Sequence, residues 1–130
     1  MRLQLVGLAD LGHALFHADT FRRVVLNLVQ NALDAMPQGG TLTLVGQRTV
    51  TQVQLHVRDT GSGMAAEQLA HIFEPLYTTK PAGTGLGLYI AREIVAAHAG
   101  HVTVESTIGQ GTTFILTLPQ AVDATPAGTP

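Results

Sequence analysis

Glycine stands at every second position at the start of "GTGLGLYIAREIV", residues 83–95, and the pattern then runs without a break into helical spacing. Gly83, Gly85 and Gly87 allow a backbone to approach a ligand closely. A helix start adds unpaired amides and positive dipole charge, so the stretch reads as a phosphate site. Lys80, the only lysine of the chain, precedes it in "FEPLYTTKPAGTGLGL". A lone lysine is more often a solvated surface charge, but a flexible point charge beside a glycine-rich helix start also suits a phosphate. Two common phosphate motifs fit poorly. No Gly-Lys-Ser/Thr follows as in a P-loop, and Leu88 holds the place of the third glycine of a dinucleotide fingerprint, with no strand before it.

Two further stretches carry chemistry. In "RDTGSGM" a strand delivers Asp59 into a turn made by Gly61 and Gly63. Local hydrogen bonding is the plainer role for an Asp in such a turn, and the calcium-loop alternative lacks its further acidic ligands and closing Glu. The sharper role is recognition: a carboxylate there would accept from an exocyclic amine, as on adenine, and would repel the carbonyl that guanine presents instead. In "VVLNLVQNALDAM" the residues Arg23, Asn27, Gln30, Asn31 and Asp34 return to one helix face at steps of three and four. A solvent-facing stripe is the ordinary reading of one such Asn. Two of them, in a heavily apolar stretch, fit a cleft wall better, and an amide oxygen there could serve as a hard ligand to Mg²⁺ completed by nucleotide phosphates.

The elements that must position these residues follow from periodicity. "RLQLVG" and "HALFHAD" read as short strands, and Phe21, Val24, Val25, Leu28, Ala32, Ala35 and Met36 recur at helical spacing with Asp19 or Thr20 as the cap. "PQGG" at 37–40 stops that helix, and "TLTLVGQ" and "QVQLHVRD" make a hairpin ending at Asp59. A short helix around Ala66 to Ile72 leads into a mobile loop. A second long helix runs from about Leu86 to Ala99 with Gly100 as its C-cap, and "HVTVES" and "TTFILTLP" form a second hairpin. Strands and helices do not alternate regularly, which predicts an α+β sandwich with helices on one face of a mainly antiparallel sheet. The expected domain is 1–119, followed by a disordered tail over 120–130.

Composition narrows the class. The chain has 130 residues, 45% of them hydrophobic and 12% charged, with a formal charge of -2 and no cysteine. One soluble globular domain fits that length, and neither a disulfide framework nor a thiolate metal site is available. No apolar run approaches the roughly 20 residues of a membrane helix. The shortage of basic residues argues against a nucleic-acid surface.

In order, "NLVQNALDAM", "DTGSGM", "IFEPLYTTK" and "GTGLGL" resemble the N, G1, F and G2 boxes of the sensor histidine kinase catalytic domain. The likeness runs from about Asp19 to Pro119 and includes "GHVTVES" and "GQGTTFILTLP". It implies the two-layer Bergerat fold shared with gyrase-type, chaperone and mismatch-repair ATPases, with ATP and Mg²⁺ as ligands. By this resemblance Asn31 would hold Mg²⁺, Asp59 would read the adenine amine, and residues 74–86, with Tyr77 and Leu86 among them, would form the ATP lid. Gly61, Gly63, Gly83, Gly85 and Gly87 would shape the nucleotide pocket, and Lys80 and Thr84 would reach the phosphates.

The departures matter. Asp34 stands where many histidine kinases carry an N-box lysine, which puts one phosphate contact in question. "NALDAMPQGG" is similar to the nitrogen-regulation branch, in which Tyr77 replaces the second of two paired phenylalanines. Asn27 occupies the place of the Glu that activates water in hydrolytic relatives. An amide cannot take up a proton, so the resemblance implies transfer to another nucleophile. None of the six histidines, His13, His17, His56, His71, His98 and His101, lies in the family's acceptor motif. His98 instead suits a helix C-terminus by its dipole interaction. The expectation is therefore an excised, monomeric, cytoplasmic catalytic module whose parent kinase can be membrane-anchored. It would serve a histidine-bearing dimerisation domain and, through it, a response regulator. An ATPase or anti-sigma serine kinase of the same fold, and a catalytically inactive nucleotide-binding partner module, are the alternatives.

Overall fold

A computed structural model describes residues 2–6, 18–77 and 86–119. In chain order these form β1 (Arg2–Val6), α1 (Ala18–Asp34), β2 (Thr41–Arg48), β3 (Gln52–Asp59), α2 (Ala66–Leu69), α3 (Gly87–Ala97), β4 (His101–Thr107) and β5 (Gly111–Pro119). The strands make one sheet in the order β1-β2-β3-β5-β4. β1 pairs parallel to β2 and every other pair is antiparallel, so both expected hairpins, β2–β3 and β4–β5, are present.

The core lies between the sheet and the helices. Val24, Leu28, Ala32 and Met36 recur every fourth residue and are buried, which fixes the inward face of α1. Ala91 and Val95 do the same for α3. Full burial of a side chain such as Leu28 stabilises the fold by about 1.5–3 kcal/mol before ordering costs are counted. Opposite them, Val53, Leu55 and Val57 are buried at alternate positions of β3, and the next residue in that phase is Asp59. The two-residue period of a strand therefore carries the Asp59 carboxylate onto the helix-covered face, at the edge of the core. The α+β sandwich predicted from the sequence is the observed architecture.

Several local expectations are corrected. Ala18 and Asp19, read as the end of a strand "HALFHAD", are the first residues of α1, and residues 13–17 lie outside the described residues. Asp19 and Thr20 thus sit within the first turn and do not cap it; Asp19 is favoured there by the helix dipole and pairs with Arg22 at 3.3 Å. The helix expected to reach Ile72 ends at Leu69, because the chain then tightens into turns in which the N–H groups of His71 and Glu74 reach carbonyls three residues back, those of Gln68 and His71. At the end of α3 the left-handed residue is Ala99, with φ 63°, and not Gly100. The N–H of Gly100 reaches the Val95 carbonyl and that of Ala99 the Ala96 carbonyl, which is the six-to-one and five-to-two pattern of a Schellman end. The tail over 120–130 lies outside the described residues.

Candidate functional site

β3 ends at Asp59, only 3% exposed, and its Oδ1 accepts from the backbone N–H of Gly61 at 2.8 Å and of Thr112 at 3.2 Å. Among the described residues no donor reaches Oδ2. Burial pushes the carboxyl above its ordinary pKa, and the two amide bonds oppose that shift without cancelling it. The carboxylate is thus held rigidly by one oxygen and left with an unmatched acceptor on the other.

The loop after Asp59 is fastened at both ends. Ser62 N–H donates to the Ala35 carbonyl just past α1, which satisfies one of the carbonyls a helix end leaves open. Gly63 has φ +71°, and a Cβ there would stand 2.1 Å from the Thr107 carbonyl oxygen, so only glycine fits between this loop and the β4–β5 hairpin. Gly109 N–H closes the same junction on the Ser62 carbonyl at 2.8 Å. Gly61 and Gly63 are therefore fixed against the chain's own backbone, one beside α1 and the other beside the hairpin.

On α1, Asn27 and Asn31 are half-buried and Asp34 is exposed. Asn27 donates from Nδ2 to the Gly87 carbonyl at 3.3 Å, so the polar stripe meets the first residue of α3, with Leu86 half-buried immediately before it. Asp34 accepts from Gln30 Nε2 at 2.9 Å, one turn earlier on the same helix. Tyr77 packs at the margin of the core, its ring centroid 5.7 Å from that of His71. Phe73 nearby makes an edge contact with Phe114 and lies 5.5 Å below the Arg92 guanidinium, tying this segment to β5 and α3. Lys80, Gly83, Thr84 and Gly85 lie outside the described residues. His98 donates from Nδ1 to the Ile94 carbonyl at 2.7 Å, one turn back along α3.

Three residues beside Asp59 escaped the reading of the sequence. Thr112, 5% exposed, supplies one of the two amides on the carboxylate. Gly111, with φ +121°, leaves room for the Asp59 carbonyl, which a Cβ would approach to 2.1 Å. Ser106 accepts from Met64 N–H at 2.7 Å and touches Thr112 Oγ1 at 2.8 Å. The signal of Gly111 and Thr112 was present in "GQGTTF", where glycines precede a threonine at the start of a strand, whereas Ser106, in "HVTVEST", carried none.

Among the described residues no helix is long and apolar enough to cross a membrane, and no group of three or more His, Cys, Asp or Glu could hold a metal alone.

Comparison with known proteins agrees with this geometry. Residues 16–122 match the family model described as histidine kinase-, DNA gyrase B-, and HSP90-like ATPase. The chain is 44% identical over 101 residues to the sensor histidine kinase ZraS of Escherichia coli (strain K12), covering 78% of this chain and 22% of that protein. It spans about a quarter or less of the length of such curated relatives. The nucleotide-free catalytic domain of histidine kinase ThkA superposes with a TM-score of 0.78 at 32% identity, covering 91% of this chain and 77% of that one. Full-length ShkA in complex with AMPPNP gives 0.81 at 32% identity, covering 92% and 26%. The α+β sandwich is thus the Bergerat type, and the chain belongs to the histidine kinase-, gyrase- and HSP90-like ATPase family, among the ATP-binding catalytic domains of sensor histidine kinases.

Proposed function

We propose that the chain binds Mg-ATP and presents its γ-phosphate to a histidine on a separate dimerisation domain, from which a response-regulator aspartate takes it. The observation that carries this is the buried Asp59 carboxylate, whose Oδ2 no donor reaches among the described residues. A buried acceptor without a donor is costly unless a ligand supplies one. The exocyclic amine of adenine does so, whereas the guanine carbonyl would set oxygen against oxygen. The AMPPNP bound by the similar ShkA supports the same choice of nucleotide.

The remaining roles follow from chemistry. Asn31 offers an amide oxygen from the half-buried stripe of α1, and with no acidic cluster among the described residues a cation would complete its shell from phosphates and water. Mg²⁺ held in that way supplies charge neutralisation at the phosphates. Asn27, already donating to the start of α3, has no basic atom for a water proton, which favours transfer to a positioned imidazole over hydrolysis. Lys80, Thr84, Gly83 and Gly85 belong in this reading to the lid of residues 74–86 over the phosphates, with Tyr77 within it, Leu86 at its end and Gly87 opening the helix behind it. Catalysis is then mostly positioning and charge neutralisation. The domain extends over 1–119 with a tail after it, and works as a monomeric cytoplasmic module of a parent kinase.

The test is a calorimetric titration of the chain with Mg-ATP and Mg-GTP, repeated with Asp59→Asn, followed by phosphotransfer to an added histidine-bearing dimerisation domain. Binding of ATP alone, its loss in the variant, and label appearing on histidine are expected. Equal binding of GTP would remove the base-reading role, and steady phosphate release with no labelled histidine would favour an ATPase.

A further inference from the structure

Asp59, Thr112 and Ser106 form a row across three strands. Arg58 pairs with Thr113, so Thr112 continues that register opposite Asp59 and donates its N–H to the carboxylate. Ser106 is in turn the cross-strand partner of Thr112 in β4. The hydroxyl of Ser106 makes three contacts: Met64 N at 2.7 Å, the Gly111 carbonyl oxygen at 3.1 Å and Thr112 Oγ1 at 2.8 Å.

Proton counting fixes the direction of each. A serine hydroxyl has one proton and two lone pairs. Met64 N–H can only donate, so it occupies one lone pair. The Gly111 carbonyl can only accept, so it takes the Ser106 proton. The third contact is then satisfied only when Thr112 Oγ1 donates its own proton to the second lone pair of Ser106. Thr112 Oγ1 is left with lone pairs alone, on the sheet face that the strand register shares with the Asp59 carboxylate, which also only accepts.

We propose that Ser106 is a positioning residue for base selection: by holding the Thr112 proton it turns the Asp59–Thr112 corner into an all-acceptor surface, which takes an amine and rejects a carbonyl at the same place. This rests on the ATP reading above. Asp59 alone would weaken binding of a base carrying a carbonyl. A threonine free to rotate could turn its proton outward and donate to that carbonyl, so the serine closes that route to a wrong base.

The experiment compares dissociation constants in the full chain for Mg-ATP and Mg-ITP, whose bases differ by an amine against a carbonyl at C6 and by a bare nitrogen against an N–H at the adjoining N1. Wild type prefers ATP. Ser106→Ala weakens ATP and lowers the ITP-to-ATP ratio of dissociation constants by about tenfold, the scale of one redirected hydrogen bond. Ser106→Thr, which keeps the hydroxyl, retains the wild-type ratio. A role confined to stability would weaken both nucleotides in proportion, and an unchanged ratio in folded Ser106→Ala overturns the proposal. Should the alanine variant not fold, Ser106→Cys, similar in shape but a weak acceptor, is read in the same way. Failure of the wild type to bind either nucleotide would instead overturn the ATP reading itself, and this one with it.

Discussion

The Nδ2 of Asn27 donates to the carbonyl of Gly87, a bond of 3.3 Å between helices whose contacting residues are sixty positions apart. It joins the polar stripe of α1 to the first residue of α3, so the direction of the bond matters. Asn27→Ala should lower stability by about 0.5–1.5 kcal/mol, the net worth of such a bond. Asn27→Asp should do no better, since a carboxylate cannot donate to a carbonyl. Chemical denaturation of the three proteins checks this, and wild-type stability in the Asp variant would mean that the amide is turned the other way.

Asp59→Asn should separate binding from stability. The variant keeps an oxygen for the Gly61 and Thr112 amides while losing a charge that burial disfavours. Because the folded pKa is raised, the ionised form is penalised above that pKa, and the penalty is relieved as pH falls through it toward the ordinary aspartate range. At neutral pH the variant should therefore be at least as stable as wild type, with the comparison shifting toward wild type in acid. ATP affinity runs the opposite way: it needs the ionised acceptor, so in wild type it should begin to fall at a higher pH than an ordinary aspartate would give. Denaturation and calorimetry over the acid range measure both trends. A variant markedly less stable at neutral pH would show that the charge is favourable to the fold.

These two residues also mark what sequence could and could not convey. Asp59 was legible because strand alternation and the following glycines are local signals, and Asn27 because helical spacing is local. Gly87 as the partner of Asn27 was not legible, nor were Thr112 as the neighbour of Asp59 and Ser106 as that of Thr112, because cross-strand and interhelical pairings are set by register and packing. The parallel pairing of β1 with β2 was hidden for the same reason. At the end of α3 the preference for glycine in left-handed backbone pointed to Gly100, whereas hydrogen bonding of the last turn assigns that conformation to Ala99.

Ala99 gives a prediction of its own. With φ 63° it carries a Cβ in a backbone region that disfavours one. Ala99→Gly should stabilise the domain by about 0.5–1 kcal/mol, the left-handed penalty reduced by the entropy that glycine loses on folding. A higher denaturation midpoint at unchanged slope is the expected result, and a lower midpoint would show that this residue is not left-handed in solution.

Gly111 should tolerate no side chain. A Cβ there would meet the Asp59 carbonyl at 2.1 Å, between the strand that carries the carboxylate and the strand that donates to it. Gly111→Ala should cost roughly 1–3 kcal/mol through forced backbone shifts and should weaken ATP binding beyond what that instability explains, because the Thr112 amide moves with the strand. Gly109→Ala is the control: it also has positive φ, but a Cβ there meets nothing within 4 Å, so it should cost stability while leaving affinity in place. Equal loss of affinity in both would assign the effect to the hairpin as a whole.

Asn31 tests the metal without relying on phosphotransfer. If its amide oxygen helps to hold Mg²⁺ between α1 and the phosphates, the metal should strengthen ATP binding in wild type and do so much less in Asn31→Ala, while binding without metal, governed by the base at Asp59, should differ little between them. Titrations with Mg²⁺ and with a chelator supply the four affinities from which the coupling is read. A retained metal enhancement in the alanine variant would remove Asn31 from the metal role. Because the base-reading carboxylate lies on a different element, that result would leave the adenine assignment intact and move the search for the metal ligand elsewhere in the chain.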